Sequence, residues 1–188
     1  MIFNKPRGLQ EMTKDEQSAF EEVLGIRVSS VVPSSDLERM ITKLEAAAEL
    51  NPSSWVFQYW LTDFYSRNRR YVDAIASADR LLEMAPLDPR SSYSAGSTYR
   101  LLTHAVWEEP KFKPHFPMMQ AQLRAMGMDP GAIDPLTSKN ALESLNMALD
   151  AAYDRTQALF EQTQRHRLAK GDKKMVAETI ASIRMERE

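Results

Sequence analysis

SSWVFQYWLTDFYSRNRRYVDAIASADRLLEMAP, residues 53–86, decides the fold. Its apolar residues recur at spacings of three and four, the period of an amphipathic helix, and they do so twice. The first helix is expected from about Ser54 to Ser66 and the second from about Arg70 to Met84, with Asn68 in the turn and Pro86 closing the pair. The interval from Pro52 to Pro86 is echoed by the flanking sequence. Overlaying 37–70 on 71–104 places Ile41 on Ile75, Glu49 on Glu83, Pro52 on Pro86, Tyr59 on Tyr93 and Tyr65 on Tyr99. A helix pair of this size cannot bury its apolar face alone and must stack on neighbours.

Upstream, residues 1–12 read as an irregular arm with Pro6 and Gly8. Thr13 and Glu16 have the spacing of a capping box, in which each side chain satisfies a backbone N–H of the other residue. The helix they open carries Phe20, Val23 and Leu24 on one face and ends at Gly25, which tolerates a left-handed backbone. Residues 26–33 are expected as an extended linker. Ser35 with Glu38 forms a second expected capping box, ahead of a helix bearing Leu37, Met40, Ile41, Leu44, Ala47 and Ala48 that stops at Asn51-Pro52.

Downstream, Asp88-Pro89 opens a helix through Tyr93, Ala95, Gly96, Tyr99 and Leu102, ending near Trp107. Residues 108–137 carry Pro110, Pro114 and Pro117 and the turn signals Asp129-Pro130-Gly131 and Asp134-Pro135, and are expected as an irregular insertion. From Ser138 a long helix is expected, with Leu142, Leu145, Ala148, Leu149, Ala152, Leu159 and Phe160 on one face. Gly171-Asp172 is expected to interrupt it before a last helix, 173–186, with Val176, Ile180 and Ile183. No alternating runs flanked by hairpin turns occur, so strands are not expected. The reading is one all-α domain of helical-repeat type: arm and first helix in 1–34, repeat helices in 35–107, insertion in 108–137, and long and terminal helices in 138–188.

Composition narrows the classes. The 188 residues suffice for one domain with a real core, and 43% hydrophobic and 27% charged residues are ordinary for a globular chain. A net charge of −2 argues against a surface given over wholly to nucleic acid. There are no cysteines, so disulfides and thiolate metal sites are excluded. No apolar stretch approaches the ~20 residues of a membrane span, and residues 1–17 lack a signal-peptide run, so a cytoplasmic protein is expected.

The repeat resembles the tetratricopeptide repeat family over roughly 35–107, with an extension through 138–152. The family's slots are filled by Leu61, Thr62, Tyr65, Ala74, Ala78, Leu81 and Pro86 in the central unit, with Gln58 in the usual tryptophan slot. Thr62 replaces the usual glycine, Ala78 a bulky residue and Leu81 an alanine. The next unit offers Ala95, Gly96 and Tyr99, then Ala141, Leu145 and Ala148. The preceding helix offers Met40, Leu44, Ala47 and Pro52, with 13–24 as its partner. The resemblance implies a superhelix whose first helices line a peptide-binding groove.

Carried over by position, the partner-binding residues are Tyr59, Asp63, Arg67, Arg90, Tyr93, Ser97 and Arg100, with Val56 and Ser66 on the same face. The three arginines have the fork geometry that holds carboxylates, so a partner offering an acidic segment or a free chain terminus is expected. The plainer reading has the tyrosines packing on the next helix and the arginines in water. The lysine–asparagine clamp of some family members is absent. With so few repeats, either capping by the first and last helices or self-association is expected to stabilise the array.

A second class of function would use KFKPHFP, 111–117, and RHRLAKGDKK, 165–174, to bind nucleic acid by stacking Phe112 and Phe116 and pairing Lys111, Lys113 and His115 with phosphates. The plainer reading pins a loop with the two rings and places Arg165, Arg167 and Lys170 at a helix end, where positive charge is favoured. His104 with Glu108, and Glu109 near His115, fall short of the three or four ligands a zinc site needs. No nucleophile–base arrangement, phosphate-cradling loop or HExxH motif is present. The expectation is a non-enzymatic interaction protein without metal or cofactor.

Overall fold

The computed structural model describes residue 9 and residues 12–25, 34–108 and 139–187. These form α1 (Lys14–Leu24), α2 (Leu37–Leu50), α3 (Trp55–Arg67), α4 (Tyr71–Met84), α5 (Pro89–Glu108), α6 (Lys139–Arg165) and α7 (Lys170–Arg187), with a 3-10 turn at Ser34–Asp36, and no strand. The expected linker at 26–33 and nearly all of the insertion, including 111–117, lie outside the described residues, as do the side chains of Ala141, Leu145 and Ala148.

Local chemistry sets the helix ends. Thr13 Oγ1 accepts from the Glu16 N–H at 3.2 Å while Glu16 accepts from the Thr13 N–H at 2.6 Å, completing the capping box of α1. Gly25 closes that helix at φ 67°. Asp88 caps α5, its Oδ1 accepting from the Arg90 N–H at 2.9 Å. Two expectations are corrected. The Ser35–Glu38 box does not form: Ser35 is wound into the 3-10 turn, α2 starts at Leu37 and Glu38 instead meets Asn68 and Arg70. The break between the last two helices falls at 166–169, and Gly171 and Asp172 lie inside the first turn of α7. Arg167 and Lys170 therefore do not sit in the last turn of the long helix.

Each helix packs on the next, and α1 also touches α3, as α3 touches α5. Side-chain contacts from α5 to α7, such as Arg100 Nη2 to Ser182 Oγ at 2.9 Å, continue that row. The odd-numbered helices thus form an inner layer, with α2, α4 and α6 outside it.

The repeat is structural as well as sequential. Helices α2 and α4 have the same length and begin at equivalent positions of the overlay, Leu37 and Tyr71; α3 and α5 likewise begin at Trp55 and Pro89. The turns match: Ser54 N–H donates to the Asn51 carbonyl at 2.9 Å, and Asp88 N–H to the Ala85 carbonyl at 3.1 Å. The side chains match too. Tyr65 donates its hydroxyl to Glu45 across the α2–α3 contact, and Tyr99 donates to Asp79 across the α4–α5 contact, donor and acceptor both shifted by one period. Met40, Ile41, Leu44 and Ala47 are buried, as are Ala74, Ile75, Ala78 and Leu81 at the same slots.

Small residues permit the closest helix contacts. A Cβ on Gly96 of α5 would stand 3.1 Å from the Phe160 ring of α6. In the preceding unit Thr62 holds that slot and bonds Ser77 Oγ at 3.0 Å within a buried trio completed by Gln58. Gln58 is tolerated inside because its side-chain Nε2 donates to Ser77 Oγ, which also lies within reach of the Gln58 backbone carbonyl.

The core is extended at both ends. Phe20 of α1 stacks on Trp60 at 4.1 Å and seals the first half, together with Leu24, Leu44 and Phe64. Val176, Ile180 and Ile183 of α7 seal the second half against Tyr153 and Phe160, and Leu9 joins them with 1% of its surface exposed. Leu9 falls within the arm that the sequence marked as irregular, yet it is core.

Candidate functional site

The inner layer leaves a groove of about 460 Å³ between α3 and α5. From α3 it takes Tyr59, Trp60, Asp63, Ser66 and Arg67; from α5 it takes Tyr93, Ser94, Ser97, Thr98 and Leu101. Tyr59 and Tyr93, Trp60 and Ser94, Asp63 and Ser97, and Arg67 and Leu101 are each one period apart. The groove is thus the same face of the repeat presented twice. It continues into a second depression of about 330 Å³ through the shared Tyr93, Ser97 and Leu101. There Arg100 and His104 of α5 meet Phe160 and Thr179 from α6 and α7.

Five of the seven partner-binding residues expected from the sequence line the main groove: Tyr59, Asp63, Arg67, Tyr93 and Ser97, with Ser66 beside them. Arg100 lines its continuation. Arg90 is corrected. It is 2% exposed, with Nη1 and Nη2 at 3.1 and 3.3 Å from Glu16, Nε and Nη2 at 3.0 and 2.7 Å from Asp88, and its guanidinium 4.5 Å over the Trp55 ring. Val56, its equivalent in the preceding unit, is buried as well, so this slot points inward in both units. Trp60, Ser94, Thr98 and Leu101 were missed, although the overlay carries Trp60 onto Ser94 and Arg67 onto Leu101.

The aromatic walls are fixed by their neighbours. Tyr59 sits edge-on to Trp55 and Trp60, with centroids 6.1 and 5.8 Å away. Tyr93 is edge-on to Phe160 at 5.7 Å, and its hydroxyl is 3.8 Å from Met175 Sδ. Both tyrosines are half-buried and neither is sealed inside. Burial, with Asp63 adding, pushes the Tyr59 phenol up to about 12, so at neutral pH it is a hydrogen-bond donor and not a base. Desolvation in the groove also raises Asp63, against the opposing pull of Arg67 3.8 Å away. The Trp60 Nε1–H is buried with no acceptor among the described residues.

The expected arginine forks are all engaged within the chain. Arg67 pairs with Asp63 and lies over Phe64, Arg90 holds Glu16 and Asp88, and Arg100 holds Glu186. His104 Nε2 is 3.0 Å from the other Glu186 oxygen. Glu186 is held at about 2: burial opposes ionisation, but bonds from Arg100, His104 and Ser182 outweigh it. Among the described residues no group of three or more potential ligands is placed to hold a metal ion, and no helix is long and apolar enough to cross a membrane. In the run 165–174, Arg165, Arg167, Lys170, Lys173 and Lys174 are exposed around the α6–α7 corner. Comparison of the chain with protein-family models, with curated proteins and with solved structures returns no match.

Proposed function

We propose that the chain is a non-enzymatic interaction scaffold, a divergent tetratricopeptide-like array whose inner groove holds a segment of a partner protein. One observation carries the reading: Tyr59 and Tyr93, at equivalent slots of successive units, line one open groove. Rigid rings with few torsions bind at low entropic cost, which suits a recognition surface. Around them are small hydroxyls (Ser66, Ser94, Ser97, Thr98) and an apolar edge, Leu101, that is 43% exposed. Such a set grips an extended backbone and its side chains. It offers a phenol locked in its neutral form rather than a group poised to move protons.

Peptide display against the full chain, with a Tyr59→Ala/Tyr93→Ala double variant as counter-selection, tests this reading. Selected peptides are expected to quench tryptophan fluorescence on binding, since Trp55 and Trp60 adjoin Tyr59, and to lose at least tenfold in affinity with the double variant. Circular dichroism of that variant should remain helical. Peptides that bind both proteins equally would remove the groove from the account.

A further inference from the structure

The Arg100–His104 end of the groove is already occupied. Glu186 Oε1 accepts from Arg100 Nη2 and, at 2.9 Å, from Ser182; Oε2 lies 3.0 Å from His104 Nε2. One carboxylate thus receives donors on both oxygens, as a bound ligand carboxylate would. The arrangement leaves something undone. Arg100 Nε is buried with no acceptor among the described residues, because Glu186 takes only the Nη2 corner of the guanidinium. Glu186 also lies beyond Ile183, the last buried apolar residue of α7, and its neighbour Met185 is 70% exposed. Releasing this turn uncovers no core, and helix ends open at little cost.

We propose that Arg100 and His104 form a carboxylate-receiving site at the end of the groove, and that Glu186 is its displaceable internal occupant. An incoming carboxylate that approaches along the Nε–Nη2 edge of Arg100 makes two parallel bonds and satisfies the N–H that Glu186 leaves orphaned. His104, 40% exposed at the rim, supplies the second contact. The inference rests on the groove reading and adds to it both a ligand chemistry and a threshold: an acidic segment must outcompete the chain's own acid. An aspartate or glutamate side chain and a free chain terminus share this chemistry.

Three probes separate these sources: hexaglutamate amidated at its C-terminus, hexaglutamine with a free C-terminus, and amidated hexaglutamine. Each is titrated into full-length protein while the His104 ring signals are followed by NMR. Glu186→Gln is expected to bind one of the first two at least tenfold more tightly than wild type, with the His104 signals moving, and to ignore the third. Adding Arg100→Gln should abolish the gain. Glu178→Gln, on the exposed face of α7, makes the same change in net charge and should produce no gain. Should Glu186→Gln fail to fold, Glu186→Asp, whose shorter acid cannot span both Arg100 and His104, is read by the same criterion. Equal affinities in wild type and variant, or an equal gain from Glu178→Gln, overturn the proposal. Tyr59- and Tyr93-dependent peptides that still bind in that case leave the groove standing. Loss of those peptides with the tenfold gain intact leaves the carboxylate site standing without the groove.

Discussion

Arg90→Met removes the buried cation between α1 and α5 and keeps comparable side-chain bulk over Trp55. Arg90 is 2% exposed and makes close contacts with two carboxylates that retain 14% and 24% of their own surface. Deleting one member of a buried ion pair costs ~3–5 kcal/mol because the remaining charge is stranded. Here water still reaches both acids in part, so a loss of roughly 3 kcal/mol is expected at neutral pH. For a domain of this size that corresponds to a fall of about 6–12 °C in Tm. The pH dependence gives the sharper test. In the wild type Arg90 holds Glu16 below its ordinary value, although burial opposes this. A depressed carboxyl stabilises above its unfolded pKa, and that contribution is lost as pH falls through the folded value. In the variant Glu16 keeps the burial that raises it and loses the Arg90 hydrogen bonds and charge that lower it, so its protonation in acid relieves the stranded charge. The stability gap should therefore shrink to less than half between pH 7 and about pH 3.5. Urea unfolding at both pH values, with unchanged slopes, measures it. A gap under ~1 kcal/mol at pH 7, or one that does not narrow in acid, would show that this cluster is not the buried anchor described.

The duplicated tyrosine bonds predict matched losses. Tyr65→Phe and Tyr99→Phe should each cost about 1.5 kcal/mol and add within ~0.5 kcal/mol in the double variant, because each removes one hydrogen bond to a carboxylate. A loss confined to one of them would break the equivalence of the two units. Glycines in α5 and α7 should respond with opposite sign. Gly96→Val forces methyl groups into the Phe160 ring and should cost about 2–3 kcal/mol, whereas Gly171→Ala meets nothing within 4 Å and should gain up to ~1 kcal/mol by helix propensity. Thermal melts of the two variants moving in the same direction would contradict the close α5–α6 contact.

Much of this architecture was legible because local signals agreed with one another. The three-and-four spacing, Gly25, Asn51-Pro52 and Asp88-Pro89 marked helices whose ends fell within about two residues of expectation. The family resemblance put Tyr59 and Tyr93 on one helix face, and both line the groove. Long-range pairing was not legible. Arg90 occupies a slot that looked like groove, but the slot points inward in both units, and Glu16, far away in the sequence, joins Asp88 in holding the buried guanidinium. Leu9 belongs to a stretch with no periodicity, so nothing local marks it as core. Glu186 and Arg100, on different helices, carry no sequence signal of their meeting. The break before α7 was misplaced because glycine is permitted in the first turn of a helix as well as in a turn between helices.

Leu9 carries a consequence for how the array comes apart. Stacks of helix pairs ordinarily unzip from either tip, each unit depending only on its neighbours. Here Leu9, ahead of the first helix, joins the core cluster of the last three helices, and Glu16 grips the start of the fifth. Beginning and end are laced together, so neither tip can peel away alone. Unfolding should be a single all-or-none event, and loosening that lace would restore the fraying of an ordinary stack.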